Sequence, residues 1–256
     1  MKFARTSRYA TFISGAALMS DLLTVDNVTA GYAGNVVLER VSLSLAPNST
    51  IALLGRNGVG KTTLLATVMG LTRIESGRVT FGGADMASVP THRRAELGIG
   101  YVPQEREIFP SLTVHENLKV ATRAGAWTID RIYQLFPSLA ERRGNFGNQL
   151  SGGEQQMLAV GRALVSNPKM LLLDEPFEGL APVIVDQMVD ALESIRRASQ
   201  FAMILVEHHA EMALEFAEKA VILDRGQVVW NGGCAELRDD PEKLGNLIGL
   251  EEETRR

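Results

Sequence analysis

The sequence predicts an α/β fold: a mostly parallel sheet with helices on both faces, an N-terminal antiparallel β subdomain and an inserted α-helical subdomain. Three observations predict it. From Leu22 onward, short β-rich segments alternate with helical ones, the pattern of a sheet covered by helices. The runs Ile51 to Leu54, Met170 to Leu173 and Ala202 to Val206 are apolar without polar alternation, as in strands buried on both faces. Between Gln104 and Leu150 the strand signals vanish, which marks a helical lobe set into the α/β core.

Composition supports one folded domain. The 256 residues are 45% hydrophobic and 22% charged, enough for a real core and unlike a disordered or collagen-like chain. Lys plus Arg number 26 against 30 Asp plus Glu, so a net charge of -4 argues against nucleic acid as a partner. The single cysteine, Cys234, excludes an internal disulfide and a Cys/His metal cluster, which fits a reducing, cytoplasmic setting. No uncharged stretch approaches the ~20 apolar residues that span a bilayer.

Taken in order, residues 1–20 read as a disordered extension. Lys2, Arg5 and Arg8 before Tyr9 to Ser20 only faintly imitate a signal peptide, because Thr11, Ser14 and Gly15 dilute the apolar run. Residues 21–250 form the folded domain, with the helical subdomain at about 105–150 and a tail at 251–256. Leu22 to Val28 and Val36 to Leu45 are early strands before the turn at Pro47-Asn48. Ile51 to Leu54 is a central strand, followed by a glycine-rich loop and a helix from near Thr63. Ile99 to Val102 is a further strand. In the lobe, Ile132, Leu135, Phe136 and Leu139 follow the i, i+3, i+4, i+7 spacing of a helix packing within it.

The strongest local signal is GRNGVGKT, Gly55 to Thr62 (Gly55, Arg56, Asn57, Gly58, Val59, Gly60, Lys61, Thr62), running into Thr63. It fits G-x-x-x-x-G-K-[ST] between a strand and a helix, the arrangement of a phosphate cradle. Gly58 and Gly60 let the backbone wrap so that amides face phosphate oxygens, and the helix N-terminus adds positive charge. Lys61 is expected on the β- and γ-phosphates, and the Thr62 hydroxyl on Mg²⁺. A mere helix-capping turn explains the glycines but not Lys61-Thr62.

MLLLDEP, Met170 to Pro176, ends a buried strand with two acids, where ligands of open α/β sheets collect. Asp174 is placed to orient Mg²⁺ and Glu175 to polarise an attacking water. Acids also end buried strands simply because the chain re-enters solvent, so this motif alone is weak. LSGGEQQ, Leu150 to Gln156, has the S-x-x-E spacing of a capping box at Ser151 and Glu154. Gly152 and Gly153 cost helix propensity that a cap does not require, so they indicate close backbone approach, with an anion as the natural candidate.

Together these motifs resemble the ATP-binding cassette family, from Leu22 to roughly Leu250. Walker A corresponds to Gly55 to Thr62, the signature to Leu150 to Gln156 and Walker B to Met170 to Asp174. The resemblance implies a P-loop NTPase core, ATP hydrolysis, ATP and Mg²⁺ as cofactors, and head-to-tail dimerisation. Each ATP would lie between one Walker A loop and the partner's signature, so Ser151, Gly152, Gly153 and Glu154 would serve the partner's nucleotide. It also implies that Tyr32 stacks on adenine, that Gln104 joins the Mg²⁺ site of Thr62 and Asp174 to the lobe, and that His208 contacts the γ-phosphate. Taken alone, each of those three side chains has an ordinary structural reading.

Finer resemblance, in Tyr101 to Leu118, Arg131 to Arg143 and Glu178 to Pro182, points to the shorter ATPase subunit of importers for branched-chain amino acids or urea and short amides. Its partners would be a longer paralogous ATPase subunit or a second copy, two transmembrane permease subunits and, indirectly, an external solute-binding protein. Its place would be the inner face of the cell membrane. Gln104 leans toward the urea and amide branch. His208 stands where many such subunits carry Gln, Glu105 where Gly is common, Phe177 where Ser or Thr is usual, and Ala181 where most cassettes carry Asp. Competing readings are a non-transport cassette, a small-molecule P-loop kinase, which leaves LSGGEQQ unexplained, and a regulatory module without turnover, which Glu175 and His208 oppose.

Overall fold

The computed structural model describes residues 21–198 and 201–249. The extension expected at 1–20 and the tail at 251–256 lie outside the described residues. The chain opens with β1 (Leu23–Tyr32) and β2 (Asn35–Leu45), which pair antiparallel. β4 (Arg73–Phe81) then pairs with the other edge of β1 and carries β5 (Ala84–Asp85), giving the sheet order β2-β1-β4-β5. β1 runs four residues past the expected end at Val28. Bulges after Val25 and Val28 absorb Asn27 in the left-handed region (φ 49°) and let pairing resume.

The second sheet has the order β10-β9-β3-β8-β7-β6. It comprises β3 (Thr50–Leu54), β6 (Ile99–Val102), β7 (Met170–Asp174), β8 (Ala202–Val206), β9 (Lys219–Asp224) and β10 (Gln227–Gly233). Every neighbouring pair is parallel except the β9–β10 edge. β3, β7 and β8 are buried along their whole length, as unbroken apolar runs require. Alternate side chains serve two cores. Ile51, Leu53, Leu172 and Ile204 face the antiparallel sheet and helix α1 (Lys61–Met69), while Ala52, Leu171, Leu173 and Leu205 face the lobe and the helices behind it. All five parallel strands therefore discharge their carboxyl ends along one rim.

The remaining helices are α2 (Thr91–Leu97), α3 (Val114–Lys119), α4 (Ile129–Leu135), α5 (Pro137–Glu141), α6 (Gly152–Leu164), α7 (Pro182–Ala198), α8 (Ala210–Phe216), α9 (Cys234–Arg238) and α10 (Pro241–Ile248). The stripe expected on one lobe helix is divided between two. Ile132, Phe136 and Leu139 are buried as expected, but Pro137 occupies the first turn of α5 and Phe136 leaves helical geometry (φ -126°, ψ 81°). Proline has no N–H to continue α4 and clashes with its preceding turn. α1 begins at Lys61 rather than near Thr63, because Gly60 (φ 112°) turns the chain directly into the helix. Beyond the strands expected from sequence, the chain forms β4, β5, β9 and β10. Exposed Arg73, Glu75, Ser76, Gly77 and Arg78 mask β4, which only pairing with β1 defines.

Candidate functional site

The P-loop leaves the carboxyl end of β3 and wraps under the N-terminus of α1. Gly55 (φ 139°) lies so close to Leu223 that a Cβ would stand 2.3 Å from its carbonyl oxygen, and Gly60 caps α1 in a left-handed conformation closed to side chains. No side chain caps α1 and its first turn holds no acid, so its leading amides are left to an anion. Lys61, 4% exposed, donates from Nζ to the carbonyls of Gly55 (2.8 Å) and Arg56 (3.0 Å) and stands 4.0 Å from Glu175 Oε1. Burial holds its pKa below the usual lysine value, against the pull of Glu175, Asp174 and Glu207.

The ends of β7 and β8 supply the acids, and the neighbouring β6 supplies Tyr101 and Gln104. Thr62 Oγ1 donates to Asp174 Oδ1 at 3.2 Å, and the Tyr101 hydroxyl on β6 reaches Asp174 Oδ2 at 3.4 Å. Burial pushes Asp174 up to about 6, with the Thr62 hydrogen bond opposing. Glu175 sits in the left-handed region (φ 50°) and is 7% exposed. Its Oε1 lies 2.7 Å from His208 Nε2, and its Oε2 accepts from Gln104 Nε2 at 3.1 Å. Gln104 also donates to Glu178. Burial raises the Glu175 pKa, offset by His208 and Lys61.

One cavity of ≈280 Å³ is lined by Asn57, Gly58, Gly60, Lys61, Thr62 and Thr63 on one side and by Gln104, Glu175, Glu178 and His208 on the other, while Asp174 lies fully buried behind Thr62 and is not in its lining. Gly55, Arg56 and Asn57 line an adjoining cavity of ≈340 Å³ with Glu207, His208 and Gly249. Val59 is buried in the core and offers only its backbone. Tyr32 does not line the Lys61 cavity. It is 43% exposed and shares with Thr62 and Tyr101 a groove of ≈720 Å³ between the core and the lobe. His209 begins α8 and is exposed, outside the Lys61 cavity.

The signature residues lie elsewhere. Ser151 caps α6 in a complete capping box, its Oγ accepting from Glu154 N (3.3 Å) and Glu154 Oε2 accepting from Ser151 N (2.8 Å). None of Ser151, Gly152, Gly153 and Glu154 lines the Lys61 cavity. The structure amends the reason for Gly153, since a Cβ there would stand 2.7 Å from Ile184 Cγ2 on α7. Close packing inside the chain already requires that glycine. Gly152 remains exposed beside the Arg106 guanidinium.

Tyr101, Glu178 and Glu207 belong to the same neighbourhood and carried no role in the sequence reading. Tyr101 is recruited by the β6–β7 pairing, and Glu207 by the parallel alignment of β7 with β8, neither of which is local in sequence. Glu178 had one available signal, its position three residues beyond Glu175.

The oxygen donors Thr62 Oγ1 and Asp174 suit a hard cation. Among the described residues no group of three or more His, Cys, Asp or Glu side chains could hold a metal ion.

Burial also sets a pH dependence. Asp174 rises from 3.8 to about 6 and Glu207 from 4.5 to about 7. A raised acid favours the folded state when protonated, so this stabilisation is full below pH ~4 and lost as pH rises through 6 and 7. Urea unfolding without ATP should give a lower stability at pH 8 than at pH 5, with a share on the order of 2 kcal/mol from each group. Asp174→Asn should flatten that slope. A parent slope of the opposite sign would contradict the burial of both acids.

The sequence pattern of the ABC transporter family matches residues 38–178. Over 236 residues the chain is 38% identical to the high-affinity branched-chain amino acid transport ATP-binding protein BraG of Pseudomonas aeruginosa, covering 89% of this chain and 100% of that one. It is 37% identical over 235 residues to the probable branched-chain amino acid transport ATP-binding protein LivF of Archaeoglobus fulgidus, with coverages of 88% and 98%. It is 34% identical over 236 residues to the lipopolysaccharide export system ATP-binding protein LptB of Haemophilus influenzae, with coverages of 89% and 97%. A solved ATP-binding subunit of an ABC transporter matches with a TM-score of 0.74 at 27% identity, over 90% of this chain and 97% of that one.

Proposed function

The chain belongs to the ABC transporter family as an ATP-hydrolysing subunit, and from that premise we propose that it powers a membrane importer for branched-chain amino acids or urea and short amides. The observation that carries the mechanism is the one cavity joining the P-loop, Lys61, Thr62, Gln104, Glu175 and His208, from which the chain's own signature is absent. Such a site is half of a shared one. We assign the other half to Ser151, Gly152, Gly153 and Glu154 of a partner cassette, either a second copy or a longer paralogue, docked head to tail.

In this assignment the amides of Asn57 to Thr62 and the α1 N-terminus bind the ATP phosphates, and Lys61 leaves the Gly55 and Arg56 carbonyls to neutralise the β/γ-phosphates. We assign adenine stacking to Tyr32, which lies outside the Lys61 cavity in the groove it shares with Thr62. Thr62 and Asp174, with Gln104, would hold Mg²⁺, which when bound supplies charge neutralisation at the phosphates. Glu175 takes a proton from the attacking water as the γ-phosphorus–bridging oxygen bond breaks, releasing ADP and phosphate. His208, held against Glu175, steadies charge on the γ-phosphoryl group.

The groove between core and lobe exposes Leu71, Phe109 and Val120, and it is lined by Glu105, the neighbour of Gln104. We assign this apolar surface to two transmembrane permease subunits, which would hold the chain on the inner face of the membrane. No helix of the described residues is long and apolar enough to cross a membrane itself. An external solute-binding protein would act through those permeases. Residues 21–250 make up the ATP-binding domain, with the lobe at about 105–150.

Similarity to BraG and LivF favours amino-acid import, while the LptB similarity favours a second reading, export of a lipopolysaccharide. Reconstitution with candidate branched-chain amino acid or urea permease subunits, followed by ATP-dependent uptake of labelled leucine or urea into vesicles, tests the assignment. Stimulation of hydrolysis by glycolipid but by neither solute would favour the exporter.

His208→Ala should bind ATP near the parent affinity and hydrolyse it about 100-fold more slowly, with His209→Ala much milder. Steady-state phosphate release read with labelled-ATP binding checks both. The reverse ranking would move the γ-phosphate role to His209.

A further inference from the structure

Glu207 is 3% exposed at the carboxyl end of β8, and among the described residues its carboxylate accepts from backbone amides. Its Oε1 accepts from Phe177 N at 3.3 Å and its Oε2 from His208 N at 3.1 Å, with the His209 amide a further donor. Phe177 lies two residues beyond Glu175, and His208 is the next residue after Glu207. One carboxylate therefore binds the two loops that carry the Glu175–His208 contact.

The strand ladder cannot do this. β7 and β8 pair from Met170↔Ala202 to Asp174↔Val206, and Glu175 N donates to Val206 O at 3.0 Å. Beyond that bond the chains diverge, and among the described residues no backbone hydrogen bond joins residues 176–179 to 207–209. Glu175 also holds φ 50°, a conformation costing a non-glycine residue about 1 kcal/mol or more unless its surroundings fix it. A buried acceptor reaching Phe177 N from the neighbouring loop is such a fixture, and leaving those amides unpaired would carry a full desolvation cost.

We propose that Glu207 is a positioning residue for ATP hydrolysis, clamping the Glu175 and His208 loops together so that the two side chains meet at 2.7 Å. It is not among the residues lining the Lys61 cavity and acts through His208 and Glu175. The inference rests on the roles given above to those two residues.

Glu207→Gln keeps the side-chain volume but replaces one acceptor oxygen with an NH₂ group facing a backbone N–H, which opens one of the loop contacts. A displacement near 1 Å at a reacting site costs up to about 100-fold in rate. Glu207→Gln should lower kcat 10- to 100-fold with the KM for ATP changed less than about threefold. In a His208→Ala background the same substitution should cost less than about threefold, because the contact it aligns has gone. Amide hydrogen exchange by NMR should show Phe177 or His208 losing protection in Glu207→Gln while core β8 amides keep theirs.

Losses that multiply in the double variant, a loss confined to KM, or unchanged protection at both amides would overturn the clamp. Should Glu207→Gln fail to fold, Glu207→Asp, which keeps both oxygens one methylene further back, takes its place with the same expectations; parent kcat in that variant would overturn the clamp. Glu175→Gln and His208→Ala are measured alongside. If both keep parent turnover, the roles of those residues fail, while the exchange data still decide the clamp.

Discussion

Glu175→Gln should reduce ATP turnover by about 1000-fold while leaving ATP affinity within about threefold of the parent, since a general base supplies roughly 100- to 10000-fold. The amide matches the carboxylate in size but is a poor proton acceptor. It retains one oxygen where the carboxylate presents two, to His208 and to Gln104, so one of these contacts is kept. Folding should not suffer, because the φ of 50° is no harder for Gln than for Glu and a partly desolvated charge is removed. With nucleotide held as proposed, by Lys61 of one chain and Ser151 of the other, dimerisation couples to occupancy, so the variant should accumulate as ATP-bound dimers with itself or a longer paralogue. Adding Ser151→Arg should abolish those dimers, since Ser151 caps α6 at an exposed position where a bulky cation would fill the space for the opposing γ-phosphate. Size exclusion with light scattering, with and without ATP and Mg²⁺, reads both effects. Parent-rate hydrolysis, or a monomer in every mixture at saturating ATP, would sink the shared site and favour the P-loop kinase reading.

Lys61→Ala should weaken ATP binding by about 100-fold or more. Charge-assisted hydrogen bonds contribute about 1.5–3 kcal/mol each, and two such bonds to the β/γ-phosphates account for that loss. The stability of the chain without ATP should change little. Lys61 is desolvated, its donors reach only loop carbonyls, and its separation from Glu175 is 4.0 Å. Lys61→Arg should not restore affinity, because a planar fork cannot take the place of a compact ammonium in so buried a cradle. Titration with a fluorescent ATP analogue, paired with urea unfolding, separates these outcomes. Unchanged affinity in Lys61→Ala would remove the phosphate-cradle assignment.

What the sequence determined by itself is local chemistry with strict spacing. The run Gly55 to Thr62 needs particular residues within eight positions, because backbone wrapping, a cation and a hydroxyl must follow one another between strand and helix. The fully buried strands β3, β7 and β8 were legible for a similar reason, as a strand covered on both faces leaves no polar residue in the run. Ser151 and Glu154 announced their cap through a reciprocal spacing of three.

Only tertiary structure decided the rest, because the deciding partners are remote in sequence. Polar β4 becomes a strand by pairing with β1, and the lobe stripe breaks because Pro137 overrides a helical period that Phe136 and Leu139 continue across it. Gly153 is required by Ile184, more than thirty positions away, and not by its own helix. The reach of Gln104 to Glu175, of Tyr101 to Asp174 and of Glu207 to Phe177 follows from parallel strands ending on one rim. Each of these residues is unremarkable in its own stretch of chain. Hydrogen bonding and desolvation act over about 3 Å in space, whatever the separation along the chain, and it is the sheet order that sets those distances.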